Sequence, residues 1–258
     1  MDKFGYIRGR RGPPGPQGKD AIELHTWCPE AVLEMFRKSE KCTYYFNTEK
    51  DGILNDGKIG LKDRFGENHA ICLRNFHKPM KIGKFYGIPL KDSLYKIADI
   101  RTATTPAMIC IFAFQFKVTS ELSNENDYIF TTETATRGVT ISKKSLNILG
   151  TDPMDLEYDT RGWNTLVIQY SCMTDDFDGK CFFSLNGRRG FFLPRKPIKF
   201  DSKDVYIGGH PKGKGFANVM LTNFEIYSKT YDTPPPEKYS LPEQIIVKTR
   251  SKYRDTKR

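Results

Sequence analysis

The stretch Cys181-Phe-Phe-Ser-Leu-Asn186-Gly187-Arg-Arg-Gly-Phe-Phe-Leu193 sets an Asn-Gly pair between two apolar runs. Both residues tolerate positive φ, and a two-residue turn built from them matches the right-handed twist of paired strands. An antiparallel hairpin is therefore predicted.

Outward from this hairpin the chain repeats the same kind of segment. Short β-branched and aromatic runs stand at 43–46, 70–73, 107–118, 128–131, 138–141, 166–170, 205–207 and 219–227, several bounded by Asp, Asn and Gly clusters such as Asn55-Asp-Gly57. Many short strands without helices between them predict an all-β antiparallel sandwich. One helix is expected near its start, over 30–38, where Pro29 stands at a first-turn position, Glu30 follows at once and Arg37 and Lys38 close the run. Val32 and Phe36 lie one turn apart and are read as core-facing, because the segment is too short for coiled-coil heptads.

With 38% hydrophobic and 28% charged residues over 258 positions, the chain is too apolar for a disordered protein. Its apolar runs fall short of the roughly 20 residues a bilayer helix needs, so no transmembrane segment is expected. The formal charge of +10 favours acidic partners: sulfated glycans, nucleic acid or anionic membrane surfaces.

Six cysteines without a Cys-x-x-Cys pair argue against zinc. Cys172 and Cys181 flank a polar turn between two strand-like runs, and a disulfide between them is expected. Cys28 with Cys42 is a second pairing, and Cys72 or Cys110 reads as a buried thiol. The acidic turn carrying Asp175, Asp176 and Asp178 lacks EF-hand spacing and reads as a solvated tip, so neither metal nor cofactor is expected.

Gly9, Gly12, Gly15 and Gly18 open four Gly-X-Y triplets with Pro13, Pro14 and Pro16 among them, in a register that stops at Ala21. Three polyproline-like strands share an axis only when every third residue lacks a side chain, so the segment reads as a collagen-like stub that would assemble a homotrimer. The collagen-like reading implies an extracellular chain, whereas Met1-Asp-Lys-Phe-Gly holds no apolar signal core, and a C-terminal piece of a longer chain would reconcile the two. At the other end, Thr233-Pro-Pro-Pro-Glu and the basic run from Lys248 to Arg258 read as a stiff linker and a disordered tail. The expected organisation is a stub at 1–20, a helical neck and first strands at 21–81, a sandwich at 82–230, and linker with tail at 231–258.

The later strands carry a familiar order: Gly162-Trp163-Asn-Thr-Leu-Val-Ile-Gln-Tyr170, then Ser184-Leu-Asn-Gly187, then Val205-Tyr-Ile-Gly-Gly209, then Phe216 through Asn223-Phe-Glu-Ile-Tyr227. This order resembles the laminin G-like and thrombospondin N-terminal-like branch of the concanavalin A-like sandwiches (jelly rolls), over roughly 82–229. Phe85-Tyr-Gly87 and the strand at 109–117 fit that family's opening strands. One departure is Asn218, where the family often has Gly. Trp163 is expected to fill the core, and Gly208-Gly209 to allow a tight turn or close approach of strands. The resemblance implies an extracellular matrix or adhesion module that binds glycosaminoglycans, other sugars or matrix proteins, often with calcium.

For the binding site itself, the basic residues Arg188, Arg189, Arg195, Lys196, Lys199, Lys212 and Lys214 are the candidates. Guanidinium groups bind planar oxyanions in bidentate fashion and Lys adds point charge, which suits a sulfated glycan. The alternative is a structural or protein-binding head of a trimeric collagen-like protein. A glycosidase of related fold would carry Glu-x-Asp-x-x-Glu; here Glu157-Tyr-Asp159 begins the pattern and Gly162 stands at the second Glu, so no enzyme is expected. Nucleic-acid binding is disfavoured because the aromatic residues fall on strand positions that a core consumes.

Overall fold

The computed structural model describes residues 29–39, 44–46, 52–54, 57–63, 68–82, 85–98, 108–123, 125–135, 137–150, 155–172, 180–192 and 204–230. One helix, α1 (Pro29–Ser39), precedes the strands β1 (Tyr44–Phe46), β2 (Gly52–Ile53), β3 (Ile59–Leu61), β4 (Ala70–Arg74), β5 (Met80–Ile82), β6 (Phe85–Pro89), β7 (Leu94–Ile97) and β8 (Met108–Val118). These continue as β9 (Asp127–Thr132), β10 (Gly138–Ile141), β11 (Leu146–Leu149), β12 (Asn164–Cys172), β13 (Lys180–Leu185), β14 (Arg188–Phe192), β15 (Val205–Ile207) and β16 (Val219–Thr230).

Among the described residues the strands form two eight-stranded antiparallel sheets. The first runs β14-β13-β12-β8-β16-β6-β5, with β1 also paired to β16; the second runs β11-β10-β9-β15-β7-β4-β3-β2. This is an antiparallel β-sandwich of jelly-roll type. The strands before residue 82 take hydrogen-bonded places in both sheets: β1 against β16, β2 to β4 beside β7, and β5 on β6.

The core lies between the sheets. Phe112, Phe114 and Phe116 alternate along the inner face of β8 and are buried. Phe112 stacks on Phe130 of the opposite sheet with ring centroids 4.7 Å apart, and Phe114 meets Phe130 edge-on at 5.6 Å. Phe224 of β16 completes the group, 5.5 Å from Phe130. Such offset and edge-to-face contacts add about 1 kcal/mol each beyond burial.

Phe224 reaches this cluster because β16 carries a bulge. Its register against β8 shifts between Thr222 and Glu225, and Asn223 sits at φ 50°. One extra residue reverses the period-2 alternation. Val219 and Leu221 point inward before the bulge, Phe224 and Ile226 after it, so Glu225 is turned to the outer face.

That outer face is covered by α1. Leu33 is buried against the sheet, and the acidic start and basic end of the helix both find partners there. Glu30 accepts from the Ser184 hydroxyl and, at 3.0 Å, from Nε of Arg189; Arg37 binds Glu225. Burial alone would push the Glu30 carboxyl up, but those donors together with a backbone hydrogen bond hold it below its ordinary value. The expected helix is thus present, though of Val32 and Phe36 only the backbone is described.

The hairpin predicted at Asn186-Gly187 forms with Leu185 opposite Arg188, and its two turn residues take φ 52° and 78°. Several strands were not foreseen: β2, β3, β5, β7 and β11, each two to four residues long.

Two expectations are corrected. Trp163 does not fill the core; it is half-buried just before β12, and the large buried rings at the centre are Phe112, Phe114, Phe130, Tyr170 and Phe224. The Cys172–Cys181 disulfide is not present, since Cys181 is a free, buried thiol. Strand register is the reason: Cys181 lies opposite Tyr170, two residues along β12 from Cys172. A diagonal neighbour stands about 7–8 Å away, beyond the roughly 4 Å between Cβ atoms that a disulfide needs. Cys110 is a buried free thiol as expected, and Cys72 is free and half-buried. The triplets at 1–20, Cys28, Cys42, the acidic turn at 175–178 and the segment 231–258 lie outside the described residues.

Candidate functional site

Arg188 and Arg189 open β14, at the edge of the first sheet. Neither is a free cation. Arg189 is tied to Glu30 at 3.0 Å, and Arg188 stands 4.0 Å from Glu157, with both of those side chains mostly in solvent. Exposed pairs of the second kind contribute little to stability, so Arg188 can exchange Glu157 for a ligand far more cheaply than Arg189 can leave α1.

Lys212 and Lys214 lie on a different element, the connection from β15 to β16. There the chain folds on itself in a tight hairpin: the His210 amide donates to the Lys214 carbonyl at 2.8 Å, and the Gly213 amide returns to the His210 carbonyl at 2.8 Å, with Gly213 at φ 71°. Both lysines are exposed, and among the described residues neither has a carboxylate partner.

The hairpin is seated firmly. Gly208, at φ 94°, presses so close to Ser93 that an added Cβ would overlap the Ser93 carbonyl oxygen. Ser93 in turn donates its hydroxyl to the Asn75 carbonyl at 2.7 Å. The turns after β4, before β7 and after β15 are thereby held together at one end of the sandwich.

This convergence brings in Arg74, the last residue of β4, which the sequence reading did not single out. Its guanidinium lies over the Phe216 ring at 4.7 Å from the centroid. Tyr128, at the start of β9, meets the His210 ring edge-on at 5.1 Å. Arg74 is 136 residues from His210 in the chain, and no local pattern marks it; only the strand order β15-β7-β4 puts it beside the hairpin.

The setting of His210 disfavours its charged form. Burial, followed by the charges of Lys214 and Lys212, lowers its pKa below the ordinary value of 6.5. The Lys212 amide donates to its Nδ1 at 3.1 Å, which makes the neutral ring the Nε2–H tautomer.

The two described cation pairs do not merge. Along the order β14-β13-β12-β8-β16, four strand spacings separate the Arg188-Arg189 strand from the one that Lys212 and Lys214 lead into. At about 4.8 Å each this is on the order of 20 Å, beyond the roughly 8 Å over which charges act in physiological salt. Arg195, Lys196 and Lys199 lie outside the described residues. Asp159, from the abbreviated glycosidase pattern, instead accepts the Arg161 amide at 2.8 Å and caps a turn. Among the described residues no group of three or more His, Cys, Asp or Glu side chains could hold a metal, and no helix is long and apolar enough to cross a membrane.

No family model matches this sequence. Neither does any curated protein. Similarity appears among solved structures. The receptor-binding domain of botulinum neurotoxin mosaic serotype C/D superposes with a TM-score of 0.51 at 11% identity, covering 82% of this chain and 51% of that one. The binding domain of botulinum neurotoxin serotype D does so with a TM-score of 0.50 at 11% identity, covering 82% and 52%. The chain therefore spans about half the length of the structures it matches, and at this identity the likeness is one of fold.

Proposed function

We propose that this chain is a non-catalytic binding module of extracellular matrix or adhesion type that recognises sulfated glycans. The observation that carries the reading is the exposed pair Lys212 and Lys214, held on a rigid hairpin without carboxylate partners among the described residues. A cation pair without carboxylate partners binds an oxyanion without first breaking an internal ion pair. Arg188, and with it Arg189, Arg195, Lys196 and Lys199, would extend contact along a polymer long enough to pass both cation pairs. Support also comes from the receptor-binding domains that share the fold, and from the motif order that resembles laminin G-like modules.

In this reading the Gly-X-Y triplets assemble three heads outside the cell. Trimeric presentation raises a weak single-site affinity through effective concentration, with no new contact. A second reading is a head that binds a matrix protein through exposed apolar side chains such as Ile59, Leu73 and Met80, each about half exposed on its own strand.

Heparin-affinity chromatography of the 258-residue chain tests the choice. Retention that falls steeply with salt, and falls further in a Lys212→Ala/Lys214→Ala variant and in an Arg188→Ala/Arg189→Ala variant, is expected. Absence of retention at low salt, or retention indifferent to salt, would sink the glycan reading. Capture of a matrix protein that survives high salt would favour the second.

A further inference from the structure

We propose that Arg74, Lys212, Lys214 and His210, floored by the rings of Phe216 and Tyr128, form a discrete subsite for a sulfated sugar residue. The proposal rests on the glycan-binding reading and narrows it from a basic surface to one place.

Three features of the geometry argue for a site over a diffuse field. Arg74 uses the face of its guanidinium against Phe216, at 4.7 Å from the ring centroid, and this contact orients the plane while its N–H edges stay available. Those edges are what a sulfate oxygen pair needs for two parallel hydrogen bonds. Second, Phe216 backs Arg74 and Tyr128 backs His210, and both residues keep part of their surface in solvent. A pyranose turns axial C–H groups to such a ring while its sulfate reaches the charges. Third, the imidazole is fixed by the Lys212 amide at Nδ1 and presents Nε2–H as a donor on the same hairpin as the two lysines. A hydroxyl or sulfate oxygen is a suitable acceptor for it.

The frame beneath these groups does not have to reorganise. Ser93 ties the turn after β4 to the turn before β7, and the Gly208 amide donates to the Ile129 carbonyl and the Tyr128 amide to the Gly215 carbonyl, each at 2.8 Å, fastening the hairpin to β9. Binding therefore costs chiefly the ordering of two lysine side chains.

Isothermal titration of the full chain with a heparin tetrasaccharide, a hyaluronan tetrasaccharide and inorganic sulfate tests this. The heparin fragment should bind, the carboxylate-only hyaluronan fragment at least tenfold more weakly, and sulfate alone more weakly still. Arg74→Ala and Lys212→Ala/Lys214→Ala should each lose about tenfold, the cost of one or two charge-assisted hydrogen bonds. Arg74→Lys, which keeps the charge and the fold but not the planar fork, should recover only part of the loss. A charge-matched Lys38→Ala/Lys81→Ala control should bind within about twofold of the parent.

Equal losses in that control and in the two site variants would mean a diffuse field and overturn the subsite. Unchanged binding in Arg74→Ala would place the sugar elsewhere, and equal affinity for hyaluronan would remove the sulfate requirement; in both cases the wider glycan reading survives. If the parent neither binds the heparin fragment nor is retained on heparin, both fall together.

Discussion

Arg37 of α1 grips Glu225 of β16 with both prongs of its guanidinium, Nε at 2.9 Å and Nη2 at 2.5 Å from the two carboxylate oxygens. The Tyr227 hydroxyl donates to the same carboxylate at 2.8 Å. Glu225 is 3% exposed and Arg37 40%, so the pair fastens the helix to the sheet from a half-wet side. Removing the arginine leaves a buried carboxylate with a single neutral donor, which full burial would make cost 3–5 kcal/mol; with one partner half in water, about 2 kcal/mol is expected. Urea unfolding of Arg37→Ala should show that loss, and Glu225→Gln, which keeps an acceptor for Tyr227, a smaller one.

Gly187 takes φ 78° with open space where a Cβ would stand. Gly187→Ala therefore meets no clash and pays only left-handed backbone strain, about 1 kcal/mol. Gly208→Ala adds a collision with the Ser93 carbonyl to similar strain, so it should cost clearly more and also weaken binding at Lys212 and Lys214. Paired denaturation curves and heparin retention check both, and equal costs would show that the contact at Ser93 can yield.

Phe130 is fully buried where Phe112, Phe114 and Phe224 meet, whereas Trp163 is half-buried at the margin. Truncating Phe130 to Ala should cost about 3–5 kcal/mol, as deletion of a core ring does, and Trp163→Ala markedly less. A reversed order in thermal or urea unfolding would restore the tryptophan to the core.

Burial pushes the Cys110 thiol up to about 12, against a smaller opposing pull from Arg137, and raises Cys181 in the same way. Since the thiolate is the reactive form, neither should be alkylated by iodoacetamide in the native protein at mildly alkaline pH. Both should label after denaturation without reductant. A Cys172–Cys181 linked peptide in a non-reducing digest would contradict the register of β12 and β13.

Burial and the two neighbouring lysines lower the His210 pKa, so the folded state takes up this proton less readily than the unfolded chain. Stability linked to His210 is thus present above the ordinary 6.5 and is lost as pH falls through the folded value. A bound anion offsets the charges of Lys212 and Lys214 and raises that value, so heparin-fragment affinity should strengthen as pH falls from about 7.5 to about 6. In His210→Gln the dependence should flatten, and an unchanged profile would assign it to another group.

Much of the sandwich could be read from particular residues. The long apolar run at Met108–Phe116, the twin runs around Asn186-Gly187 and the paired glycines after Ile207 each mark a buried strand or a turn from residue type alone. The short strands β3, β7 and β11 were missed because each is interrupted by a weak strand former, Gly60, Lys96 or Asn147, whereas the equally short Val205–Ile207 is β-forming throughout, and neighbouring strands supply their hydrogen-bond partners. The same limit applied to Cys172 and Cys181: closeness in sequence suggested a bridge, and register refused it.

For the site, the sequence by itself determined which residues carry charge and that Lys212 and Lys214 stand in a glycine-bounded turn. Tertiary structure alone decided which cations lie near one another and which are paired. Arg189 is occupied by Glu30 because α1 lies across the sheet, and Arg74 joins the distant hairpin because β4, β7 and β15 are ordered in one sheet. Charge belongs to a residue, but an electrostatic site depends on separations within about a Debye length, and those are fixed by long-range strand pairing.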